Sequence, residues 1–155
     1  MMAPWSALSL LLCALGLAPL VLSASQALRH ERDSLALAQA TFLASDMAHR
    51  LHLNAWAAPH YQLNWGQMPL APQCLDTPCT RANWAASDLA HWRQRVGLEL
   101  PEGDAWLQMN SDGSGLIQLV LAWTTSTPAS GPPSASSSNL TCPARKRCLA
   151  IAVVP

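Results

Sequence analysis

Residues 26–54 read QALRHERDSLALAQATFLASDMAHRLHLN, an unbroken run of good helix formers without Gly or Pro. Leu37, Ala40, Ala44, Met47 and Leu51 recur at alternating spacings of three and four, which places them on one narrow stripe of a helix. Asp33, Ser45, Asp46, His49 and Arg50 lie mostly off that stripe. Upstream, residues 7–22 (ALSLLLCALGLAPLVL) are all apolar or small, and the first charged side chain of the chain is Arg29. Read together, the two segments predict one helix of about 50 residues, roughly 75 Å at 1.5 Å per residue. That is far longer than an ordinary globular helix. It fits a helix that leaves a membrane and becomes the spine of a small domain.

The apolar block bears on where the chain resides. A spanning helix needs roughly 20 apolar residues, and with its mild flanks Trp5, Ser6, Ser23 and Ala24 the block reaches that length. Gly16 and Pro19 are tolerated within lipid. The candidate membrane-contacting side chains are Leu8, Leu11, Leu12, Leu15, Leu17, Leu20, Val21 and Leu22. The competing reading is a cleaved secretory signal with Ser23-Ala24-Ser25 as its small-residue site, but no Lys or Arg precedes the apolar core. Cys13 follows three leucines, which does not suit a lipoprotein acceptor. Under either reading the remainder of the chain leaves the cytoplasm.

Downstream, Ala57-Ala58-Pro59 ends the helix and opens a loop to about Arg81. Residues 82–96 predict a second helix, with Trp84, Leu89, Trp92 and Val96 on its apolar side and Gly97 as its stop. Residues 105–109, 116–125 and 148–154 predict strands. The first two are joined by the turn Asn110-Ser111-Asp112-Gly113-Ser114-Gly115, and a Ser/Pro/Ala/Gly-rich loop over 127–139 leads to the third. Trp92, Trp106 and Trp123 are expected in the helix–sheet core, and Trp56 and Trp65 on the surface. The pairs Cys74/Cys79 and Cys142/Cys148 predict two local disulfides in an exported domain. A four-thiolate zinc site is the rival, and it usually wants closer spacing within each pair.

Function classes narrow by exclusion. The 155 residues carry nine basic and nine acidic side chains, and only 12% are charged, so no basic surplus exists to neutralise phosphates. No nucleophile elbow, phosphate loop or metalloprotease helix occurs, so catalysis is not expected and no cofactor is implied. His49 and His52 are three apart but lack a further ligand nearby, and a solvated helix face is expected. Asn110, Asp112 and Ser114 have calcium-loop spacing without the downstream bidentate Glu, so a plain hairpin is expected. Asn139-Leu140-Thr141 matches a glycosylation acceptor by pattern alone.

Four segments in order resemble PilV-type minor pilins of the type IV pilus. Residues 39–51 (QATFLASDMAHRL) are similar to that family's QATLLAxDMAxRM. The close pair Cys74/Cys79 follows, then Ser87-Asp88-Leu89-Ala90-His91-Trp92, similar to YDLAEW. Last, residues 142–149 (CPARKRCL) are similar to CPxxxRCL. The family's basic leader, cleavage glycine and early acidic residue are not found here. Aligning Gly16 with the glycine of the family's apolar segment puts the cleavage junction at or before Met1.

The resemblance implies an α+β, pilin-like fold: a long N-terminal helix packed on a small antiparallel β-sheet. Residues 1–25 would be the membrane and filament-core segment and 26–155 a periplasmic domain. Within the domain, 26–56 continue the helix, 57–103 form a loop and short helix, and 104–155 form the sheet, with its loop at 126–141. Leu37, Ala40, Ala44, Met47, Leu51, Trp92 and Trp123 would join helix to sheet, and the apolar side chains from Leu8 to Leu22 would pack in membrane or filament. The implied function is a structural subunit in pilus assembly and adhesion. Its partners would be other major and minor pilins, pilus assembly proteins and the bacterial inner membrane, which the chain would cross once before joining surface pili. A secreted, disulfide-stabilised binding module and a type II secretion pseudopilin are the alternatives.

Overall fold

The computed structural model describes residues 5–72, 79–126 and 142–155, with side chains from residue 23 onward. The chain is α+β. Helix α1 (Trp5–Leu53) runs unbroken for 49 residues, about 74 Å. A 3-10 turn (Ala55–His60) containing Pro59 follows, then α2 (Arg81–Glu99) and strands β1 (Asp104–Met109), β2 (Ile117–Trp123) and β3 (Arg147–Val153). The strands form one antiparallel meander in the order β1-β2-β3.

The half of α1 after Ala36 is the spine. Ala40, Leu43, Met47 and Leu51 are fully buried and Ala44 nearly so, and each large side chain removed from water in this way contributes roughly 1.5–3 kcal/mol. Leu37 lies at the edge of this stripe, only half-buried, and Ala36 and Leu43 fill the core beside it. Opposite them the sheet presents Ala105 and Leu107 from β1, Ile117, Leu119, Leu121 and Trp123 from β2, and Leu149, Ile151 and Val153 from β3. The register Leu107↔Leu119↔Ile151 lines these side chains up on one face. The inner face of the sheet thus meets the helix stripe through matched apolar residues.

Helix α2 closes the open side of this core. The Thr80 hydroxyl accepts a hydrogen bond from the Asn83 N–H (3.2 Å) as its N-cap. Ala85, Leu89, Trp92 and Val96 are buried, whereas Trp84 is 57% exposed. Trp84 precedes Leu89 by five residues, about 140° around the axis, so it cannot share the buried stripe as the sequence predicts. The Trp92 indole N–H donates to the Leu43 carbonyl (2.9 Å), locking α2 to α1.

Gly97 does not stop α2, which continues through it to Glu99. Leu100 caps the end, its N–H reaching the Val96 carbonyl at 3.2 Å, and Pro101 prevents further helix. The glycine the turn requires is Gly103: a Cβ there would collide with the Val96 carbonyl oxygen.

Two further expectations are corrected. Trp106 is not in the helix–sheet core. It is half-buried on the opposite face of β1, paired with Val120, because Ala105 and Leu107 hold the inward positions and side chains alternate along a strand. The segment after the 3-10 turn is more than a connecting loop. Tyr61 and Leu63 are fully buried, and Leu63 exchanges two backbone hydrogen bonds with Leu107 (2.8 and 2.9 Å), shielding the edge of β1.

Residues 110–115 form the expected turn. The Asn110 N–H reaches the Leu116 carbonyl (2.8 Å), Gly113 and Gly115 adopt positive φ, and the Asp112 carboxylate accepts the Ser114 N–H (2.9 Å). A bond from the Ser114 side chain, and next this backbone bond, hold the Asp112 carboxyl below its ordinary pKa. Cys142 and Cys148 form a disulfide across a Cα separation of 6.0 Å. Cys79 is also disulfide-bonded, while Cys74 lies outside the described residues, as do the loop over 127–139 and Asn139-Leu140-Thr141.

Candidate functional site

Two adjoining surfaces of α1 stand out. The first is its uncovered face. Over residues 23–35 every side chain is exposed or half-exposed, and the helix first meets the domain at Asp33, whose carboxylate accepts the Ser126 N–H (3.0 Å). Leu28, Leu35 and Phe42, seven residues apart, are 57%, 59% and 61% exposed. At 100° per residue they form one ridge on the side of the helix away from the core stripe. The Arg95 guanidinium lies 5.7 Å from the Phe42 ring centroid where the ridge reaches the domain. An ordered apolar ridge left this exposed along a helix face marks a contact surface.

The candidate packing positions Leu8, Leu11, Leu12, Leu15, Leu17, Leu20, Val21 and Leu22 belong to the same helix, but their side chains lie outside the described residues. Among the described residues no helix is long and apolar enough to cross a membrane.

The second surface is a groove of about 480 Å³ where the C-terminal end of α1 meets the start of α2. His49 and Leu53 continue the ridge face into it. Asp46, Arg50, Asn54, Trp84 and Asp88 complete the walls. The polar members form a continuous network. Arg50 bridges Asp46 (3.3 Å) and Asp88 (3.0 Å), and Arg95 contacts Asp46 (3.1 Å) and Glu99 (2.8 Å). The Tyr61 hydroxyl donates to Asp88 (2.7 Å) and accepts from the Asn54 amide (3.1 Å). Burial, reinforced by the bond to Asp88, raises the Tyr61 pKa well above the ordinary phenol value. The bond to Arg95 holds the Glu99 carboxyl below its usual range, and the same bond raises Arg95.

Beside the groove, Leu53 and Trp56 are 75% and 82% exposed. The Arg81 guanidinium stacks 5.7 Å from the Trp56 ring centroid, joining Trp56 to the turn of α2 that carries Trp84. Sequence reading placed Trp56 on the surface and Asp46 and Arg50 off the core stripe. It missed their pairing with Asp88 and Arg95, residues 38 and 49 positions away.

A second buried pair sits below the sheet edge. Arg93 contacts Asp104 at 2.9 Å, and the Asp104 carboxylate also accepts the Gly66 and Ala105 N–H groups. It fastens α2, β1 and the 61–67 segment together and is structural. His49 and His52 are exposed, and no group of three or more metal-ligating side chains gathers among the described residues. No protein-family model, curated protein or solved structure matches this chain.

Proposed function

We propose that this chain is a structural minor pilin that takes part in type IV pilus assembly. It would be anchored by the apolar start of α1 in the bacterial inner membrane, with residues 26–155 in the periplasm. The observation that supports the reading is the two-part use of one helix. The half after Ala36 is buried against a small antiparallel sheet, while the half before it carries an apolar ridge and runs into the apolar block. The order of the four PilV-like segments adds to it.

In this reading the periplasmic ridge packs on neighbouring subunits, while the apolar block exchanges lipid for neighbouring helices when a subunit joins the assembly. Both surroundings are apolar, so packing rather than hydrophobic transfer decides the exchange. The partners are major and other minor pilins and the assembly proteins, and the role is structural rather than catalytic.

The test is the N-terminal sequence and intact mass of the protein extracted from its own cells, together with its presence in sheared pilus fractions. A retained apolar segment in membrane and pilus fractions supports the proposal. A terminus near Ser25 or Gln26 overturns it in favour of a secreted binding module, a reading for which the exposed Trp56 and Trp84 speak. Co-purification with a secretion apparatus instead of pili identifies a pseudopilin.

A further inference from the structure

The groove between α1 and α2 combines features that the assembly role does not need. It holds an exposed indole, Trp84, with a second, Trp56, held nearby under Arg81. Exposed tryptophans contribute nothing to the core, and a cluster of them on a small domain marks a binding surface. The charges around the groove cancel: the carboxylates of Asp46, Asp88 and Glu99 are matched by the guanidiniums of Arg50, Arg95 and Arg81, the last lying over Trp56. Arg50, the arginine of its wall, is shared between Asp46 and Asp88, and both carboxylates face an arginine, so the lining carries no isolated charge of either sign to draw an anionic ligand or a metal ion. A neutral ligand is what such a groove admits.

Hydrogen-bonding capacity nevertheless remains. Asp46 uses Oδ2 for both of its arginines, and Asn54 uses its amide nitrogen for Tyr61. The carboxylate Oδ1 of Asp46 and the amide Oδ1 of Asn54 thus have no partner among the described residues. The His49 imidazole adds a further polar edge to the wall. These groups are pre-positioned by the network, so binding does not have to order them. Volume agrees, since about 480 Å³ lies within the 300–1,000 Å³ of small-molecule clefts.

A flat apolar indole face beside a charge-balanced array of fixed acceptors and donors matches one ligand chemistry. A pyranose ring offers C–H groups on its faces and hydroxyls around its rim. We infer that this groove binds a neutral saccharide, one sugar ring stacking on Trp84 with Trp56 extending the platform to a second. An apolar peptide would leave Asp46, Asn54 and Arg50 covered without new partners, at the usual cost of desolvated polar groups.

The inference stands apart from the assembly role, and its test does not depend on it. The full chain, solubilised in a detergent without a sugar headgroup, is titrated with lactose, maltose, cellobiose and N,N′-diacetylchitobiose. Binding is followed by the indole N–H resonances in NMR spectra. The expected result is saturable shifts of the Trp84 and Trp56 resonances with at least one disaccharide. Trp84→Ala and Trp56→Ala, both surface changes, should each weaken binding about tenfold, while Trp65→Phe leaves it unchanged. Absence of saturable shifts with all four sugars, or equal affinity in Trp84→Ala, overturns the inference. So does displacement of the indole signals only by an apolar peptide.

Discussion

Tyr61 is the single tyrosine of the chain, so its phenol titrates without overlap. It is fully buried, donates to Asp88 at 2.7 Å and is held far above its ordinary pKa of 10.0, first by burial and then by that bond. The linkage follows in sign: a folded pKa raised above the unfolded one contributes stability that is intact below about pH 10 and is lost as pH rises beyond it. While the folded phenol stays protonated, the unfolded chain gains about 1.4 kcal/mol for each pH unit above 10, which amounts to about 2.7 kcal/mol by pH 12. That is a large share of the 5–15 kcal/mol typical of a domain. The assay is phenolate absorbance at 295 nm against pH, run beside far-ultraviolet circular dichroism. The phenolate band should rise only together with loss of helix, and Tyr61→Phe should remove that component of the alkaline destabilisation. A phenolate midpoint near 10 with the helix signal intact would refute the buried Tyr61–Asp88 bond and with it the arrangement of the network.

Arg93→Met strands the Asp104 carboxylate, whose side chain is only 15% exposed. Urea unfolding should show a loss of about 3 kcal/mol, and Arg93→Lys should recover only part of it because the second contact, to the Gly103 carbonyl, needs a fork. Trp92→Phe keeps an aromatic ring but removes the bond to the Leu43 carbonyl, at a cost of about 1–2 kcal/mol in the same assay. Opening the Cys142–Cys148 bridge by paired Cys→Ser changes frees a short loop and should cost about 2 kcal/mol, read as a lowered melting temperature in non-reducing buffer.

Much of the architecture was legible because its causes are local. Apolar side chains at three- and four-residue spacing over 40–51 define a buried helix stripe whatever lies opposite, and LIQLVLAWTT is the near-continuous, partly β-branched apolar run of a central strand, observed at Ile117–Trp123 with both faces covered. Boundaries shifted where packing overruled a local cue. Gly97 has the residue type of a helix stop, yet α2 continues because Val96 and Leu100 are both buried and the chain must reach Pro101 before it turns. Trp84 and Trp106 were misplaced because tryptophan suits both cores and surfaces, and one position along a helix or strand decides which. The 61–63 segment has no recognisable period, so its burial under β1 was invisible.

The groove was the least legible feature. Helical period places Asp46, His49 and Arg50 off the core stripe, and nothing within α1 says what meets them there. The sequence by itself determined the long α1, the α2 stripe and the three-strand meander, because hydrophobic period and turn chemistry act over a few residues. Tertiary structure alone decided that Arg50 would meet Asp88, Arg95 would meet Asp46, and Tyr61 would tie Asp88 to Asn54. Those contacts depend on the angle and depth at which two helices pack, and that geometry is set by the summed volume of the core between them, which no local window contains.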